Sequence, residues 1–450
     1  MRYKKRVNPA LPDTTPCIID VDEGNRRKGG VKFYTLGCKV NQYETQGLRE
    51  LLLEAAFKEE KGKKADIYIV NTCTVTDEAD RDSRRLIRGA FRLNPESRII
   101  VTGCYANEVP LDILGMSDKI HILPNQQKHR IIDFLSSTNY ELRTTNNGKF
   151  TPLKISDFKG HERAFVKIQD GCSNFCSYCK VPLVRGVSRS RPQKEIIAEC
   201  KRLVKRGFKE IVLTGICLGA YRYRDIELAQ ALEALENIKG EFRLRLSSIE
   251  PNLISNKLIE IMANSKRICP HLHIPLQSGD NNILKKMNRR YSIKDYLSLI
   301  TKLNKKIKNI AITTDVLVGF PQEKEKNFRN TMRALKEICP LRTHVFSFSP
   351  RAKTAAFNLE GHIEKEVVKA RADLLKKVAS ACSYKFRKRF LGKRLEVLIE
   401  SQRDKKSSSF CGYSENYIRI IVENADKKDI NSLREVKVKT VDTNFTKACI

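Results

Sequence analysis

The sequence predicts an α/β protein in three parts: an amino-terminal parallel sheet, a central open barrel of six β/α units, and a small carboxyl-terminal β-barrel. From residue 31 to residue 348, short β-branched runs alternate with helical patterns, which is typical of parallel sheets with crossover helices. After residue 394, apolar and polar residues alternate instead, as they do in half-buried antiparallel strands. The length of 450 residues suggests about three domains.

The amino-terminal part is predicted from three strands with two helices between them. A strand at residues 31–36 precedes a helix whose apolar residues recur at helical spacing, namely Leu48, Leu51, Leu52 and Ala55. A strand at residues 66–70, a helix at 80–93 and a strand at 98–101 follow. Such a series implies a parallel sheet with right-handed crossovers, in which functional loops gather beyond the carboxyl ends of the strands.

Each of these three strands runs directly into a cysteine, at Cys38, Cys73 and Cys104. The cysteines are separated by 35 and 31 residues, so parallel pairing would bring all three thiols to one edge of the sheet. Burial explains any one of them equally well, because free cysteine is among the most buried side chains. Three at equivalent strand ends, two of them preceded by Gly37 and Gly103, indicate a 4Fe-4S cluster with one open iron or a zinc ion with a labile fourth ligand.

A second cysteine cluster follows a polar stretch at residues 144–148, predicted to be a linker, and a strand at residues 164–168. Cys172, Cys176 and Cys179 have the spacing C-x-x-x-C-x-x-C, with the aromatic Tyr178 just before the third. Three ligands this close can wrap one cubane on a single loop and leave its fourth iron for an exogenous ligand. Zinc normally requires C-x-x-C pairs or added histidines, and the nearest histidine, His161, lies on the other side of the preceding strand.

The central barrel is completed by five further strand-like runs, at residues 210–213, 242–246, 271–276, 311–318 and 343–348, with helical patterns at residues 194–205, 293–307 and 328–338. In such barrels the chemistry lies on the loops at the carboxyl ends of the strands. Polar or small residues occupy these positions and are candidates for binding a cofactor: Thr214, Gly215, Ser248, Glu250, Gln277, Ser278 and Asp315. A cap or a turn explains each one alone, and only their shared location favours a binding role.

The charge balance indicates a polyanionic partner. The chain has 85 Lys and Arg against 52 Asp and Glu, a formal net charge of +33. Residues 365–394 are predicted to form a strongly basic helix with eleven Lys or Arg, two acids and three interleaved aromatic residues, which suits phosphate contact about as well as a solvated face. Residues 180–206 carry nine more cations. The alternating segment 394–450 predicts a small β-barrel, a form often used to bind RNA.

The sequence predicts no membrane segment and a cytoplasmic location. The nearly uncharged run at residues 211–221 is well short of the ~18 apolar residues of a spanning helix. The basic start, MRYKKRVNPALPDTTPC, does not lead into the apolar region of a secretory signal. In a reducing compartment, the 14 cysteines suit metal ligation, catalysis or burial better than disulfides.

Six segments together resemble the methylthiotransferases, a family of radical S-adenosylmethionine (SAM) enzymes. The segments are FYTLGCKVNQYET, CSNFCSYC, RGVSRSRP, LRLSSIEP, HLHIPLQSGDNNILKKMNRRY and FSFSPRAKTAA, and the resemblance runs from residue 31 to the end. It implies an auxiliary-cluster domain at residues 31–150, a radical SAM core at 158–391 that ends in the basic helix, and a TRAM barrel at 392–450. Residues 1–30 match nothing and form an extension of unknown role.

The resemblance implies a role for each cysteine triad. Cys172, Cys176 and Cys179 would hold the 4Fe-4S cluster at which SAM is cleaved to a 5′-deoxyadenosyl radical, and the residues expected to bind SAM are Tyr178, Thr214, Gly215, Ser248, Glu250 and Gln277. Cys38, Cys73 and Cys104 would hold an auxiliary 4Fe-4S cluster whose free iron carries the sulfur. One SAM molecule would supply the methyl group and another the radical, and no side-chain acid or base is expected to act in catalysis.

The form TLGCKVNQYE is similar to the bacterial branch that methylthiolates C2 of N6-threonylcarbamoyladenosine at position 37 of tRNA, next to the anticodon. The expected partners are a tRNA anticodon arm and an electron donor such as a flavodoxin or ferredoxin. Two alternatives remain at this point: methylthiolation of an aspartate in a ribosomal protein, and a non-catalytic RNA-binding protein with structural zinc.

The chain departs from the family pattern at two positions, where Gln322 replaces a usual glycine and Phe348 a frequent tyrosine. The eight cysteines outside the triads lack ligand spacing and are interpreted as packing residues. Cys217 is left open, because it follows the loop of Thr214 and Gly215.

Overall fold

The computed structural model describes residues 29–62, 64–106, 109, 111–136 and 152–450. The predicted linker at residues 144–148 and all but the last two residues of the predicted extension 1–30 lie outside this part of the chain. Within it, no helix is long and apolar enough to cross a bilayer.

The amino-terminal part is a five-stranded sheet in which all neighbouring strands are parallel, in the order β2-β1-β3-β4-β5. Its strands are β1 (Gly30–Thr35), β2 (Lys58–Glu59), β3 (Ile67–Thr72), β4 (Arg98–Gly103) and β5 (Ile120–Ile122). Its helices are α1 (Lys39–Glu54), α2 (Asp77–Leu93), α3 (Leu111–Leu114) and α4 (Ile131–Ser136). The predicted βαβαβ series is confirmed, and the short β2 and β5 extend it at the two edges.

The central part is an open barrel of six parallel strands in the order β6-β9-β12-β13-β14-β15, joined in the middle by the isolated bridges Leu244↔Ile268 and Ser248↔His273. These strands are β6 (Arg163–Lys167), β9 (Glu210–Thr214), β12 (Arg243–Leu246), β13 (His271–His273), β14 (Ala311–Val318) and β15 (Arg342–Ser347). Two short antiparallel pairs accompany them: β7 (Gln169–Asp170) with β8 (Arg189–Ser190), and β10 (Arg222–Tyr223) with β11 (Ile226–Glu227).

Eight helices accompany the central strands. They are α5 (Val181–Arg185), α6 (Gln193–Lys205), α7 (Leu228–Glu236), α8 (Asn256–Asn264), α9 (Asn281–Lys286), α10 (Ile293–Lys306), α11 (Glu325–Ile338) and α12 (Lys365–Lys388). The predicted basic helix is α12, which ends at Lys388 because the chain turns there towards the carboxyl-terminal barrel.

The carboxyl-terminal part is a closed barrel of five strands in the order β16-β17-β18-β20-β19. The strands are β16 (Arg394–Arg403), β17 (Phe410–Ser414), β18 (Arg419–Glu423), β19 (Leu433–Val441) and β20 (Thr446–Cys449). The pairs are antiparallel except for β18 with β20, which is parallel. The predicted small β-barrel is therefore confirmed, and closure leaves it without an open sheet edge.

One apolar core runs from the amino-terminal sheet into the central barrel. It contains Val31 and Leu48 from the first part together with Phe165 and Leu213 from the second. Because the two parts bury their apolar surfaces against each other, the loops at their strand ends are held in a fixed relation.

The carboxyl-terminal barrel is docked at the amino ends of the central strands. Arg163, the first residue of β6, donates to Glu400 Oε1 at 2.6 Å, and Arg245 Nη2 donates to the Ser414 carbonyl oxygen at 3.0 Å. The ring of His271, the first residue of β13, lies 4.4 Å from that of Tyr417. The barrel therefore leaves the opposite, carboxyl ends of the strands uncovered by these contacts.

Candidate active site

The structure brings Cys38, Cys73 and Cys104 to one edge of the amino-terminal sheet. Their strands β1, β3 and β4 are direct neighbours, and all three cysteines follow the carboxyl ends. Cys73 and Cys104 are buried, while Cys38 is exposed at the start of α1. Burial raises the pKa of Cys73 to about 12, and the nearby thiols of Cys104 and Cys38 add to this shift. The three thiols are thus close enough to influence one another electrostatically.

Two glycines allow the loops at this edge to pack tightly. Gly37 has φ +92°, and a Cβ there would lie 2.9 Å from Cβ and 3.0 Å from Sγ of Cys73. Gly103 has φ +96°, and a Cβ there would lie 2.3 Å from the Thr72 carbonyl oxygen. A side chain at either position would push the cysteine loops apart and would strain the left-handed backbone.

The second triad lies on the loop between β7 and α5, where Cys172, Cys176 and Cys179 are all partly buried. This loop is docked on the end of α9: Ser177 N donates to the Met287 carbonyl oxygen at 3.1 Å, and Ser177 Oγ donates to that of Lys286 at 2.8 Å. The loop geometry is therefore set by the barrel as well as by its own short sequence.

Arg289 is the closest charged partner of this loop. Its Nη1 lies 3.3 Å from Cys176 Sγ and 3.2 Å from Glu250 Oε1, and its Nε lies 3.2 Å from the Tyr291 hydroxyl oxygen. The carboxylate holds the guanidinium in place, so a positive charge is directed at the thiol. Such a donor stabilises the thiolate form that binds iron.

The chemistry of both triads suits a cubane. Among the described residues, no three His, Cys, Asp or Glu side chains lie close enough to share one metal ion. A cubane is held differently, because each cysteine binds a separate iron and the thiols are spread around the cluster. Three thiols per site, without a fourth cysteine at either loop's own spacing, fit a cluster with one open iron.

The loop after β9 is joined to the cysteine loop through Gln169, a residue that the sequence patterns did not single out. Gln169 Nε2 donates to the Gly171 carbonyl oxygen at 2.7 Å, and its Oε1 accepts from Cys217 N at 2.9 Å. A Cβ on Gly215 would lie 2.8 Å from the same Oε1. The neighbouring Thr214 is buried at the end of β9.

Cys217 lies beside the second triad. Its position in the sequence had left its role undecided. The proximity of the Cys217 side chain is the main cause that lowers the pKa of Cys172 to about 7. Asn174 Nδ2 lies 3.9 Å from Cys217 Sγ. Cys217 therefore lies beside a predicted cluster ligand and is not only a packing residue.

The other predicted cofactor residues differ in the contacts that they make. Glu250 reaches the cysteine loop through Arg289, and Tyr178 packs against the apolar cluster that contains Met287 and Phe320. Ser248 and Gln277 show backbone pairing only, with His273 and Val316 respectively. These residues follow the carboxyl ends of barrel strands, as predicted. Asp315 does not: it lies within β14, where its carboxylate contacts His273 Nε2 at 3.1 Å.

The two family departures have different structural settings. Gln322 has φ +65°, a left-handed conformation that glycine adopts freely and that costs other residues about 1–2 kcal/mol. Its amide N donates to the Gly361 carbonyl oxygen at 2.7 Å, which holds the turn. Phe348 packs edge-on against Phe320, with 5.4 Å between the ring centres.

The two triads lie on either side of α5. This five-residue helix, about 7.5 Å long, begins two residues after Cys179 and ends at Arg185, whose Nε lies 3.2 Å from Cys104 Sγ. A second contact holds the two parts together: Arg351 Nη2 donates to Thr74 Oγ1 at 2.9 Å and pairs with Asp80. Neither arginine was identified from the sequence as a site residue.

Two family models match the chain. The model of the radical SAM superfamily matches residues 166–335, and the model of the uncharacterized protein family UPF0004 matches residues 30–123. The first covers most of the central barrel and the second covers the amino-terminal sheet with its three cysteines.

Curated relatives match over nearly the whole length. The chain is 35% identical to threonylcarbamoyladenosine tRNA methylthiotransferase MtaB of Bacillus subtilis (strain 168), over 91% of this chain and 93% of the relative. It is 36% identical to the protein of the same name from Chlamydia pneumoniae, over 92% and 96%. It is also 38% identical to tRNA-2-methylthio-N(6)-dimethylallyladenosine synthase of Thermodesulfovibrio yellowstonii, over 83% and 88%.

Solved structures share the fold at low sequence identity. The radical SAM methyltransferase TsrM from Kitasatospora setae superposes with a TM-score of 0.55 at 13% identity, over 73% of this chain and 77% of that one. The cobalamin-dependent radical SAM enzyme OxsB gives a TM-score of 0.51 at 11% identity, over 80% and 57%. Given the full-length relatives, the matched radical SAM core and the two cysteine triads, the chain belongs to the radical SAM methylthiotransferase family.

Proposed function

We propose that the protein adds a methylthio group to C2 of N6-threonylcarbamoyladenosine, next to the anticodon of tRNA. The observation that carries the proposal is the placement of two cysteine triads on either side of α5. The substrate is supported by the relatives that bear this name at 35–36% identity, and by the form TLGCKVNQYE. Relatives named for dimethylallyladenosine also match, so the choice between the two adenosines needs a direct test.

In this proposal, Cys172, Cys176 and Cys179 hold the cluster at which SAM binds, and Cys38, Cys73 and Cys104 hold the auxiliary cluster. When bound, the first cluster supplies the electron that cleaves SAM and the second supplies the sulfur. The chain's own contribution is to hold the cysteine loop with Arg289 and Gln169. The SAM pocket is proposed on the same face, from Tyr178, Thr214, Gly215, Ser248, Glu250 and Gln277.

The proposed domains follow the same division. Residues 31–150 form the auxiliary-cluster domain, residues 158–391 the radical SAM core, and residues 392–450 a TRAM barrel that binds RNA. The closed five-stranded barrel supports the last assignment, since small barrels of this kind often bind RNA. A tRNA substrate would place the protein in the cytoplasm, and the electron donor is proposed to be a flavodoxin or ferredoxin.

The helix α12 extends from the carboxyl-terminal barrel to the carboxyl ends of the central strands, and we propose that the RNA lies along it. It is 24 residues and therefore about 36 Å long. Its last turn packs on the barrel, where Arg387 Nη1 donates to the Phe445 carbonyl oxygen at 2.7 Å. Its first turns line a cavity of about 520 Å³ beside Gly319 and Phe348, which follow β14 and β15. A tRNA arm lying along α12 would thus reach the carboxyl ends of the strands.

The substrate test is the nucleoside profile of cells that lack their own enzyme and receive this chain. We expect the 2-methylthio form of threonylcarbamoyladenosine to return in hydrolysed tRNA, measured by mass spectrometry. If isopentenyladenosine gains the group instead, the adenosine is wrongly assigned. If neither nucleoside changes while the protein is present and carries iron, tRNA is not the substrate.

Binding of tRNA should depend steeply on salt. Of the eleven cations at residues 365–394, nine are exposed, whereas Arg371 is paired with Glu323 and Arg387 with backbone carbonyls. With 6–10 phosphate contacts, affinity should fall by about 10³–10⁵ between 50 and 200 mM salt, using the duplex-DNA slope as a guide. The measurement is a series of Kd values by filter binding or fluorescence anisotropy.

A double variant, Lys376→Ala with Lys377→Ala, removes two exposed cations from α12. If both contact phosphates, the slope of log Kd against log salt should decrease by about 2. The matched control replaces Lys305 and Lys306, an exposed pair at the end of α10 outside both basic segments. An unchanged slope in the α12 variant would contradict the proposed RNA route.

A further inference from the structure

A cluster of five buried ionisable side chains lies between the two cysteine triads. Its members are Glu44, Lys128, Lys167, Asp170 and Arg185, and each is at most 5% exposed. Charged groups are almost never buried to this extent unless they are paired. Burying these five groups therefore costs considerable desolvation free energy, which their pairing with one another must offset.

The pairing within the cluster is dense. Glu44 accepts from Lys167 Nζ at 2.6 Å, from Arg185 Nη1 at 2.9 Å and from Lys128 Nζ. Asp170 accepts from Lys167 Nζ at 2.7 Å and from Arg185 Nη1 at 3.0 Å. These attractions keep the pKa of Glu44 below its usual value, despite burial. Asp170 makes the same two kinds of contact, one to an ammonium group and one to a guanidinium group.

Three basic side chains face two carboxylates among these five residues, and burial lowers the pKa of Lys128. The remaining partner is Cys104: the terminal nitrogens of Arg185 bind oxygens of Glu44, Asp170 and Asn41, and its Nε lies 3.2 Å from Cys104 Sγ. Cys104 is buried, and the Arg185 guanidinium is the charged group in contact with its sulfur. As an iron ligand, Cys104 would be a thiolate, which this contact stabilises.

The cluster also spans the junction between the two parts of the protein. Glu44 lies on α1, six residues after Cys38, and Lys128 precedes α4. Lys167 ends β6, Asp170 lies two residues before Cys172, and Arg185 ends α5. Four of the five members therefore lie within six residues of a triad cysteine, Glu44 beside the amino-terminal triad and the other three beside the second triad, so the cluster couples the positions of the two cysteine loops.

We propose that Arg185 is a positioning residue for the auxiliary cluster. It donates a hydrogen bond to the Cys104 ligand, and its positive charge raises the reduction potential of that cluster, while α5 fixes the cluster relative to the second triad. The inference rests on the proposed function, in which Cys104 is an iron ligand. The physical reason is that a nearby positive charge stabilises the more negative, reduced state, and hydrogen bonds to cluster sulfurs act in the same direction.

The test isolates the auxiliary cluster in the full-length chain. Replacing Cys172, Cys176 and Cys179 with alanine leaves the other triad intact, and anaerobic reconstitution should then load about four irons per chain. In this background, Arg185→Gln should lower the ratio of reduced to oxidised cluster about tenfold at a fixed potential, a shift of about 59 mV for a one-electron couple. The readout is a redox titration followed by electron paramagnetic resonance.

Matched variants separate this effect from general damage. Arg191 is also fully buried, and it pairs with Glu199 at 2.9 Å and with the Tyr43 hydroxyl at 3.1 Å rather than with a cysteine of the triads. Arg191→Gln should therefore leave the potential unchanged. Arg185→Lys keeps the positive charge, so its reduction potential should stay close to that of the chain with Arg185. Glu44→Gln removes a negative charge from the cluster and should shift the potential in the opposite direction.

The outcomes are distinguishable. Absence of iron in the background chain would overturn the proposed auxiliary site, and the inference with it. Iron in the background with equal potentials for Arg185→Gln, Glu44→Gln and Arg191→Gln would overturn the inference alone. If Arg185→Gln does not fold, the other two variants decide. A raised reduction potential in Glu44→Gln together with an unchanged one in Arg185→Lys supports the inference. An unchanged reduction potential in Glu44→Gln overturns it.

Discussion

A Cys176→Ala variant is expected to lose SAM cleavage to the level of a reaction without enzyme. Cys176 is the middle thiol of the second triad and contacts Arg289, whose other partners are Glu250 and Tyr291. Without it, two cysteines remain for a cluster that needs three thiolates to leave one iron open to SAM. The variant also leaves Arg289 without its sulfur partner. The measurement is 5′-deoxyadenosine formed under anaerobic reducing conditions.

The control for this variant is Cys449→Ala. Cys449 is partly exposed at the end of β20, in the carboxyl-terminal barrel, and has no predicted ligand role. It should cleave SAM at the rate of the parent protein and carry about eight irons, the content of two cubanes. Equal rates of 5′-deoxyadenosine formation in the two variants would contradict the assignment of the second triad to SAM cleavage.

A Cys73→Ala variant is expected to retain SAM cleavage and to lose insertion of the methylthio group. Cys73 belongs to the triad at the edge of the amino-terminal sheet, and the contacts that hold the other cysteine loop, through Ser177, Gln169 and Arg289, do not include it. Typical single substitutions cost about 1 kcal/mol of stability, so the fold should persist. Both 5′-deoxyadenosine and the methylthiolated nucleoside are measured in the same reaction.

Iron content checks the interpretation of this second variant. It should fall from about eight to about four per chain, because only the auxiliary cluster is lost. Cys104→Ala should give the same separation of cleavage from insertion. Formation of the methylthiolated nucleoside by Cys73→Ala would contradict the sulfur-donating role. Loss of cleavage with the second cluster still loaded would show that the auxiliary triad is required for the first step.

These two results would differ because the fold holds two chemically similar sites apart. The sites lie on opposite sides of α5, and the Arg185 contact with Cys104 and the Arg351 contact with Thr74 prevent the two parts from sliding. Shared apolar core beneath them adds to this rigidity. A fixed separation is what the proposed function requires, in which one triad holds the cluster that cleaves SAM and the other holds the cluster that supplies the sulfur.

Much of this architecture follows from local patterns. Strand and helix periodicity predicted the parallel sheet, the six central strands and the closing barrel, because each depends on alternation that is visible within about ten residues. The cysteine triads were found in the same way. Cys172, Cys176 and Cys179 are close in sequence, and Cys38, Cys73 and Cys104 follow successive strands that pair in parallel.

The supporting residues could not be found in this way, because their partners are remote in sequence. Arg289 meets Cys176 across 113 residues, Arg185 meets Glu44 across 141, and Arg351 meets Thr74 across 277. All three arginines lie in segments that carry the family resemblance, but the resemblance assigned no role to them. With 85 Lys and Arg present, only the folded arrangement distinguishes a buried arginine that holds a cysteine loop from an exposed one.

The sequence alone determined the fold class, the two cysteine triads and the basic character of the protein, since these are properties of spacing, periodicity and composition. The tertiary structure alone decided that the triads lie on either side of one short helix, that a buried cluster of charged side chains adjoins Cys104, and that the carboxyl-terminal barrel packs on the amino ends of the central strands. The physical reason is that desolvation and charge pairing depend on which groups are in contact after folding, and no local sequence pattern specifies those contacts.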